Sequence, residues 1–340
     1  MKPMKRLVLS SLMALGFGLA SLGVGHAADI REHSIKFASQ NNKGHPQVMG
    51  MQKFADLVAQ KSGNKIRVRL FPGGVLGGDL ETVSALQGGT IEMTVLNSGI
   101  LQAQIKDFAA FDFPFLFNND KEVDALVDGP FGQTLHKKLQ DKGLIGLAYF
   151  DLGFRNITNG KHPINKPEDI SGLKLRVIQS PIYVDVFKAL GANPTPLAWP
   201  EVYNALEQGA VDGQENPFTV ILNAKLDEVQ KYLAVTRHIY NPQSVIISKK
   251  FWDSLNPDEQ KLIQDAATEA AAYQRQVSRD AAHTALETLK KHGMQVTELS
   301  PADLDKMRAM VKPVVEKYTR EVGEDTVKSM YAEIDKIRKP

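Results

Sequence analysis

The chain has 340 residues, 43% hydrophobic and 24% charged, a globular composition that excludes a disordered chain and is long enough for two domains or lobes. A formal net charge of +2 gives no basic excess for nucleic acid. The absence of cysteine excludes disulfides, thiolate metal sites and a lipid-modified N-terminal cysteine.

The first 27 residues read as a secretory leader. Lys2, Lys5 and Arg6 form a basic start, an apolar run follows over 7–24, and Gly25-His26-Ala27 places small residues at the cleavage positions. A membrane anchor is the competing reading, and Ser10, Ser11, Gly16, Gly18, Ser21 and Gly23 dilute the apolar run against it. Cleavage after Ala27 removes three positive charges and leaves the mature chain near −1. An exported chain without disulfides or a lipid anchor is expected in the bacterial periplasm.

The alternating run His33-Ser-Ile-Lys-Phe-Ala-Ser predicts a strand. A helix follows over 46–62, with Pro46 at its start and Met49, Phe54, Leu57 and Val58 on one face. A strand over 66–71, a helix over 78–87 and a strand over 92–96 continue a βαβαβ order, which predicts an α/β unit with a largely parallel sheet. The phenylalanine-rich run 108–117 reads as core or hinge packing, and a helix over 121–142 and a strand over 144–150 complete the unit.

A second α/β unit is expected from Gly153, with strands near 156–158, 175–178 and 193–196 and helices over 182–190 and 200–208. Val245-Ile-Ile-Ser is placed to return the chain to the first sheet. From Pro257 to His292 there is no glycine and no further proline, with Asn256 as a cap and Gly293 as a stop. A helix of that length measures about 54 Å at roughly 1.5 Å per residue, enough to span both units. A strand at 295–298 and helices from Pro301 end the chain.

Most catalytic and metal patterns are missing. There is no G-x-S-x-G elbow, and the eight histidines show no metal-ligand spacing, so neither metal nor cofactor is expected. Gly73-Gly-Val-Leu-Gly-Gly lacks the phosphate-loop ending, and Asp79 and Glu81 behind it repel phosphate; it reads as a turn and helix start. Asp212 and Glu215 read as structural carboxylates. Arg176 stands inside the apolar strand Leu173-Lys-Leu-Arg-Val-Ile, where a charge must find an anion or carbonyls. Its planar fork suits a ligand carboxylate, and an internal salt bridge satisfies it equally. Arg155 ends a strand-to-loop turn and poses the same question.

The stretches Gly172-Leu-Lys-Leu-Arg-Val-Ile, Ala189-Leu-Gly-Ala-Asn-Pro-Thr-Pro-Leu-Ala-Trp-Pro-Glu-Val-Tyr and Val211-Asp-Gly-Gln-Glu-Asn-Pro closely resemble TRAP (tripartite ATP-independent periplasmic) solute-binding proteins. Phe71-Pro-Gly-Gly-Val-Leu-Gly-Gly, Phe113-Pro-Phe-Leu-Phe and Gly153-Phe-Arg-Asn-Ile-Thr-Asn carry the same resemblance. It implies a clamshell of two α/β lobes with a long helix spanning both: 28–152 with about 242–281 in one lobe, about 153–241 with 282–340 in the other. It also implies that Arg176 binds the solute carboxylate, with Arg155, Asn216 and the cleft aromatic Trp199 beside it. Trp199-Pro200 departs from the family's usual Phe-Ser, and the indole offers a flat face for a sugar ring. Gln179 stands where many members have asparagine and is able to read hydroxyls. Asn42, His45, Glu81 and Asn97 are added from strand-to-helix turns of the first unit, where open α/β sheets place ligands.

The implied function is a monomeric, non-enzymatic periplasmic receptor. It binds a small organic acid, a sugar acid such as a hexuronate or aldonate first, and passes it to a TRAP membrane permease. A C4-dicarboxylate is the near alternative, with one carboxylate on each arginine. A periplasmic hydrolase or lyase using Glu81 or His45 as base, and a ligand-gated sensor, are the rivals.

Overall fold

The computed structural model describes residues 29–338, so the expected leader lies outside the described residues. The first unit runs β1 (His33–Ser39), α1 (Pro46–Lys61), β2 (Ile66–Phe71), α2 (Asp79–Gly88), β3 (Met93–Asn97), α3 (Asp120–Asp128), α4 (Pro130–Lys138) and β4 (Leu144–Phe154). The second runs β5 (Asn156–Asn159), β6 (Lys174–Val177), α5 (Pro181–Ala189), β7 (Asn193–Pro196), α6 (Val202–Glu207), β8 (Gly213–Asn216), α7 (Phe218–Asn223) and β9 (Tyr232–Val235). Then follow β10 (Tyr240–Ser248), α8 (Lys249–Trp252), α9 (Pro257–Lys291), β11 (Gln295–Glu298), α10 (Pro301–Val322) and α11 (Glu324–Arg338).

Two sheets result, ordered β2-β1-β3-β10-β4 and β11-β9-β5-β8-β6-β7. β1 pairs in parallel with β2 and β3, as the βαβαβ order predicts. β10 lies between β3 and β4 and is antiparallel to both. The reason is connectivity: β4 carries the chain out of the first sheet and β10 brings it back, so the two run in opposite directions. The outgoing and returning segments are tied where they cross, Arg155 N donating to Ile239 O at 2.8 Å.

The long helix forms as the sequence predicts. Asn256 and Glu259 make a reciprocal capping box at its start, and Pro257 occupies the first turn, where its missing N–H costs nothing. Its first half buries Ile263, Ala266, Ala267 and Ala270 against Phe54 and Phe150 of the first unit. Its last turns bring Leu286 and Leu289 to Val202, Ile221 and Leu233 of the second. Midway, Gln274 holds the outgoing strand, accepting from Asp151 N at 2.7 Å and donating to Asp151 O at 2.8 Å. α1 comes this close only because Gly50 has no side chain. A Cβ there would stand 2.5 Å from Gln274 Cγ and 2.9 Å from the Phe150 ring. Gly50→Ala is therefore expected to lose about 1–3 kcal/mol by overpacking, read as a lower urea midpoint at unchanged m-value.

Two expectations need correction. The single helix over 121–142 is broken into α3, α4 and a short 3-10 turn. Pro130 cannot continue a helix, so with Gly129 it starts a new one. The C-terminal helices do not stay with one unit. α10 packs on α5, whereas α11 lies on α3 and α4, with Glu333 accepting from Phe131 N at 2.9 Å and Arg338 paired to Glu122 at 2.8 Å. Residues 282–340 thus divide between the units. The phenylalanine-rich run is core: Phe108, Phe111, Phe113 and Phe117 are buried in a cluster that also holds Ile182 and Val186 of α5 and Val311 of α10.

Candidate functional site

A cavity of about 50 Å³ lies between the two sheets. From the first unit it is lined by Gln40 and Asn41 after β1, Gln47 of α1, Asp79 of α2, and Val95 and Asn97 of β3. The second unit contributes Arg176 of β6, Ile178, Trp199, Asn216 of β8 and Val220 of α7. The crossing strands add Leu152, Arg155, Asn241 and Gln243. Strand ends point into it, the place where open α/β sheets leave room for ligands. The rims meet above it: a Cβ on Gly74 would stand 2.9 Å from Pro200 Cγ, and one on Gly78 3.5 Å from the Ala198 methyl. The glycine-rich loop is thus a close-packed rim.

Of the residues expected at the site, Arg176, Arg155, Asn216, Trp199 and Asn97 line this cavity. Gln179, His45, Asn42 and Glu81 do not. β6 ends at Val177, and Gln179 stands in the bend that follows, outside the lining to which Arg176 and Ile178 contribute. α2 begins at Asp79, and two residues along a helix turn a side chain by about 200°; Asp79 enters the cavity and Glu81 is exposed, folded over Gly77 and Gly78. Asn42 is exposed beyond the lining Gln40 and Asn41. His45 is buried as the cap of α1. Its Nδ1 accepts from Gln47 N at 3.1 Å and its Nε2 meets Thr219 Oγ1 of α7 at 3.3 Å. Burial pulls its pKa down to about 3, so it is neutral.

The two arginines differ. Arg155 is spent internally. Its Nε and Nη2 fork the Glu215 carboxylate, with Nη2–Oε1 at 2.8 Å. Nη2 also donates to Glu215 O at 2.5 Å, and Nη1 reaches Asn241 Oδ1 at 3.3 Å. His238 Nε2 sits 3.2 Å from Glu215 Oε2. Arg176 has no carboxylate partner among the described residues. Its Nε and Nη2 both donate to Leu197 O, at 2.9 and 2.7 Å, which orients the fork, and its guanidinium carbon lies 5.6 Å from the Trp199 ring centroid. Nη1 has no protein acceptor among the described residues. Burial, more than the neighbouring Arg155, pulls its pKa down to about 10, against the pull of Glu215 and Asp79. This is a desolvated cation without an ion-pair partner among the described residues.

The family-7 model of bacterial extracellular solute-binding proteins (DctP) matches residues 37–321. The chain belongs to that family. It is a TRAP-type solute receptor with the two-lobed fold, whose relatives include periplasmic dicarboxylate- and sugar-acid-binding proteins. A TRAP periplasmic solute-binding protein from Ochrobactrum anthropi, with its C-terminus bound in the ligand-binding pocket, is 59% identical, covers 91% of this chain and 97% of its own, and superposes with a TM-score of 0.81. The sugar-acid-binding protein of Advenella mimigardefordensis in complex with galactonate is 40% identical over 91% of this chain and 99% of its own, with a TM-score of 0.89. The 2,3-diketo-L-gulonate-binding periplasmic protein of Escherichia coli is 34% identical over 85% of this chain and 87% of its own.

The receptor's cavity holds polar atoms with nothing to bond. Gln40 Oε1 and Asp79 Oδ1 are buried without a hydrogen-bond partner, whereas the Asn97 amide has the Asp112 carboxyl beside it. Such atoms cost about 1–3 kcal/mol each when left unsatisfied. Burial lifts the Asp79 carboxyl to about 7, with Arg176 opposing. Beneath the cavity Asp112 is likewise lifted to about 7 by burial, with Arg155 opposing; Tyr183 donates to its Oδ1 at 3.3 Å. Gln40, Asn41, Gln47, Asp79, Asn241 and Gln243 were not singled out from the sequence. The run Gln40-Asn41-Asn42 at a strand end and the alternation of Asn241 with Gln243 on β10 were the available signals.

Proposed function

We propose that this receptor binds a sugar acid with one carboxylate, an aldonate or hexuronate, in the cavity between its lobes and delivers it to a TRAP membrane permease. The observation that carries the reading is the pairing of a cation without an ion-pair partner among the described residues, Arg176, with unpartnered acceptors at Gln40 and Asp79. A carboxylate takes the free edge of Arg176; hydroxyls, which donate and accept, fit the rest. Trp199 supplies a flat apolar face beside them. A dicarboxylate gripped by both arginines fits less well, because Arg155 is already forked on Glu215. The galactonate and diketo-gulonate ligands of relatives have the same chemistry. Lobe closure buries the acid without chemical turnover, and export through the leader at 1–27 places the receptor in the periplasm.

The test is a thermal-shift screen of the processed, ligand-stripped protein against aldonates, uronates, C4-dicarboxylates and neutral sugars. Acid at about a thousand times its dissociation constant is expected to add roughly 4 kcal/mol, several degrees of Tm. The acid should be recovered unchanged from the complex. No shift with any sugar acid, or release of a product, overturns the reading.

A further inference from the structure

We propose that His45 is a positioning residue for lobe closure: its imidazole bonds Thr219 across the cleft and sheds its proton to do so, which makes acid capture sensitive to pH. The inference rests on closure around a bound acid and adds what holds the closed form. Neither residue lines the cavity, so the pair acts on the lobes and not on the ligand. His45 precedes α1 of the first lobe, and Thr219 stands on α7 of the second, one residue before the lining Val220. Nε2 meets Thr219 Oγ1 at 3.3 Å, and both side chains are buried. One turn along α7, Asn223 Nδ2 donates to Lys43 O at 3.4 Å, so the segment before α1 meets α7 at two points.

The geometry admits only the neutral ring. Nδ1 accepts from Gln47 N at 3.1 Å as the cap of α1, so the ring hydrogen sits on Nε2, which donates to Thr219. A second proton would fill the capping acceptor and set a cation at the positive end of the helix. No carboxylate of the packed elements offsets it. α7 carries no titratable side chain, and Pro46, Gln47, Val48 and Met49 of α1 carry none. Lys43, two residues earlier, is exposed and also cationic. On α9, which packs Gln274 against Gly50, Arg279 is paired with Asp151 and Asp124, and Asp280 accepts from Gln276. Burial pulls the ring from 6.5 to about 3. Opening the lobes returns water to it and raises that value toward 6.5. The closed form therefore has its full advantage above the open-form value and loses it as the pH falls toward 3, because a protonated His45 keeps the lobes apart.

The experiment is calorimetric titration of the ligand-stripped wild type, His45→Asn and Thr219→Val with D-galactonate and with succinate, from about pH 7.5 to about pH 5. Asparagine is a favourable cap, so α1 keeps its start, but its side chain is too short to reach Thr219. At the upper pH both variants are expected to bind about three- to tenfold more weakly, the loss of one hydrogen bond. Toward the lower pH the wild type and Thr219→Val, which keep the ring, should lose about tenfold more affinity than His45→Asn. Asp79 and Asp112 titrate in all three proteins and drop out of the comparison. Parallel pH profiles for the wild type and a folded His45→Asn overturn the latch, leave His45 as the cap of α1 and leave the sugar-acid reading standing. Unchanged affinity of Thr219→Val at the upper pH overturns it as well. Capture of succinate in preference to galactonate, with the tenfold difference retained, overturns the sugar-acid reading alone. Binding of neither acid overturns both.

Discussion

Arg176→Ala is expected to abolish measurable acid binding, lowering affinity at least a hundredfold, while leaving the ligand-free protein as stable as the wild type or more so. The two halves have one cause. Arg176 is buried with its charge unneutralised by any carboxylate of the described residues; two of its N–H groups go to Leu197 O, and burial pulls its pKa to about 10. Desolvating that guanidinium costs the empty receptor stability, and an anion returns it. Each charge-assisted hydrogen bond to a carboxylate contributes about 1.5–3 kcal/mol, so two of them account for a hundredfold or more. Arg176→Lys keeps the charge but loses the fork, because one ammonium on a flexible stem does not satisfy Leu197 O and a carboxylate in the same fixed plane. It should retain weak binding, between the two extremes. Calorimetry gives the affinities and thermal melting of the ligand-free proteins gives the stability. A ligand-free Arg176→Ala that melts well below wild type would assign Arg176 to holding the fold instead.

Arg176 was legible in the sequence because a charge in an apolar strand has few explanations. The long helix was legible for a similar reason: thirty-five residues from Pro257 to Lys291 without an interior breaker leave little else to form. Other elements gave weaker signals. β8 is Gly-Gln-Glu-Asn, four polar or small residues that are all buried, so it shows neither alternation nor an apolar run. β9 has four residues and pairs on both edges, a stability that comes from its neighbours. At the cavity, the chemistry of the lining was readable and the facing was not. Glu81 and Asp79 differ by two positions and by their side of the helix, and Gln179 differs from the lining Ile178 by one position in the bend after β6. The partner of Arg155 was beyond reach, because it lies 60 residues away and is delivered only by the register of β5 on β8, which sets Ile157 opposite Glu215.

That pairing predicts the largest loss of stability. Glu215→Gln is expected to destabilise the protein by about 3–5 kcal/mol, on the order of 10 °C in Tm. Glu215 and Arg155 are almost completely buried, at 0% and 1% side-chain exposure. The carboxylate binds three groups at once: Nε and Nη2 of Arg155, and His238 Nε2. Burial raises the Glu215 pKa, but the Arg155 charge and the hydrogen bonds from His238 and Arg155 outweigh it, and the net result lies below the ordinary carboxylate value of 4.5. A folded-state pKa below the unfolded one stabilises the protein fully above about pH 4.5. That contribution fades as the pH falls through the lower, folded value, so the wild type should lose its advantage over Glu215→Gln only in that acid range. Glutamine keeps the shape and one acceptor but leaves the Arg155 charge buried and unpaired, and that stranded cation causes most of the loss. Adding Arg155→Met to Glu215→Gln removes the cation and should recover part of the stability. If the double variant melts no higher than Glu215→Gln alone, the loss comes from packing at the lobe crossing, where Arg155 N holds Ile239 O, and the ion pair contributes little.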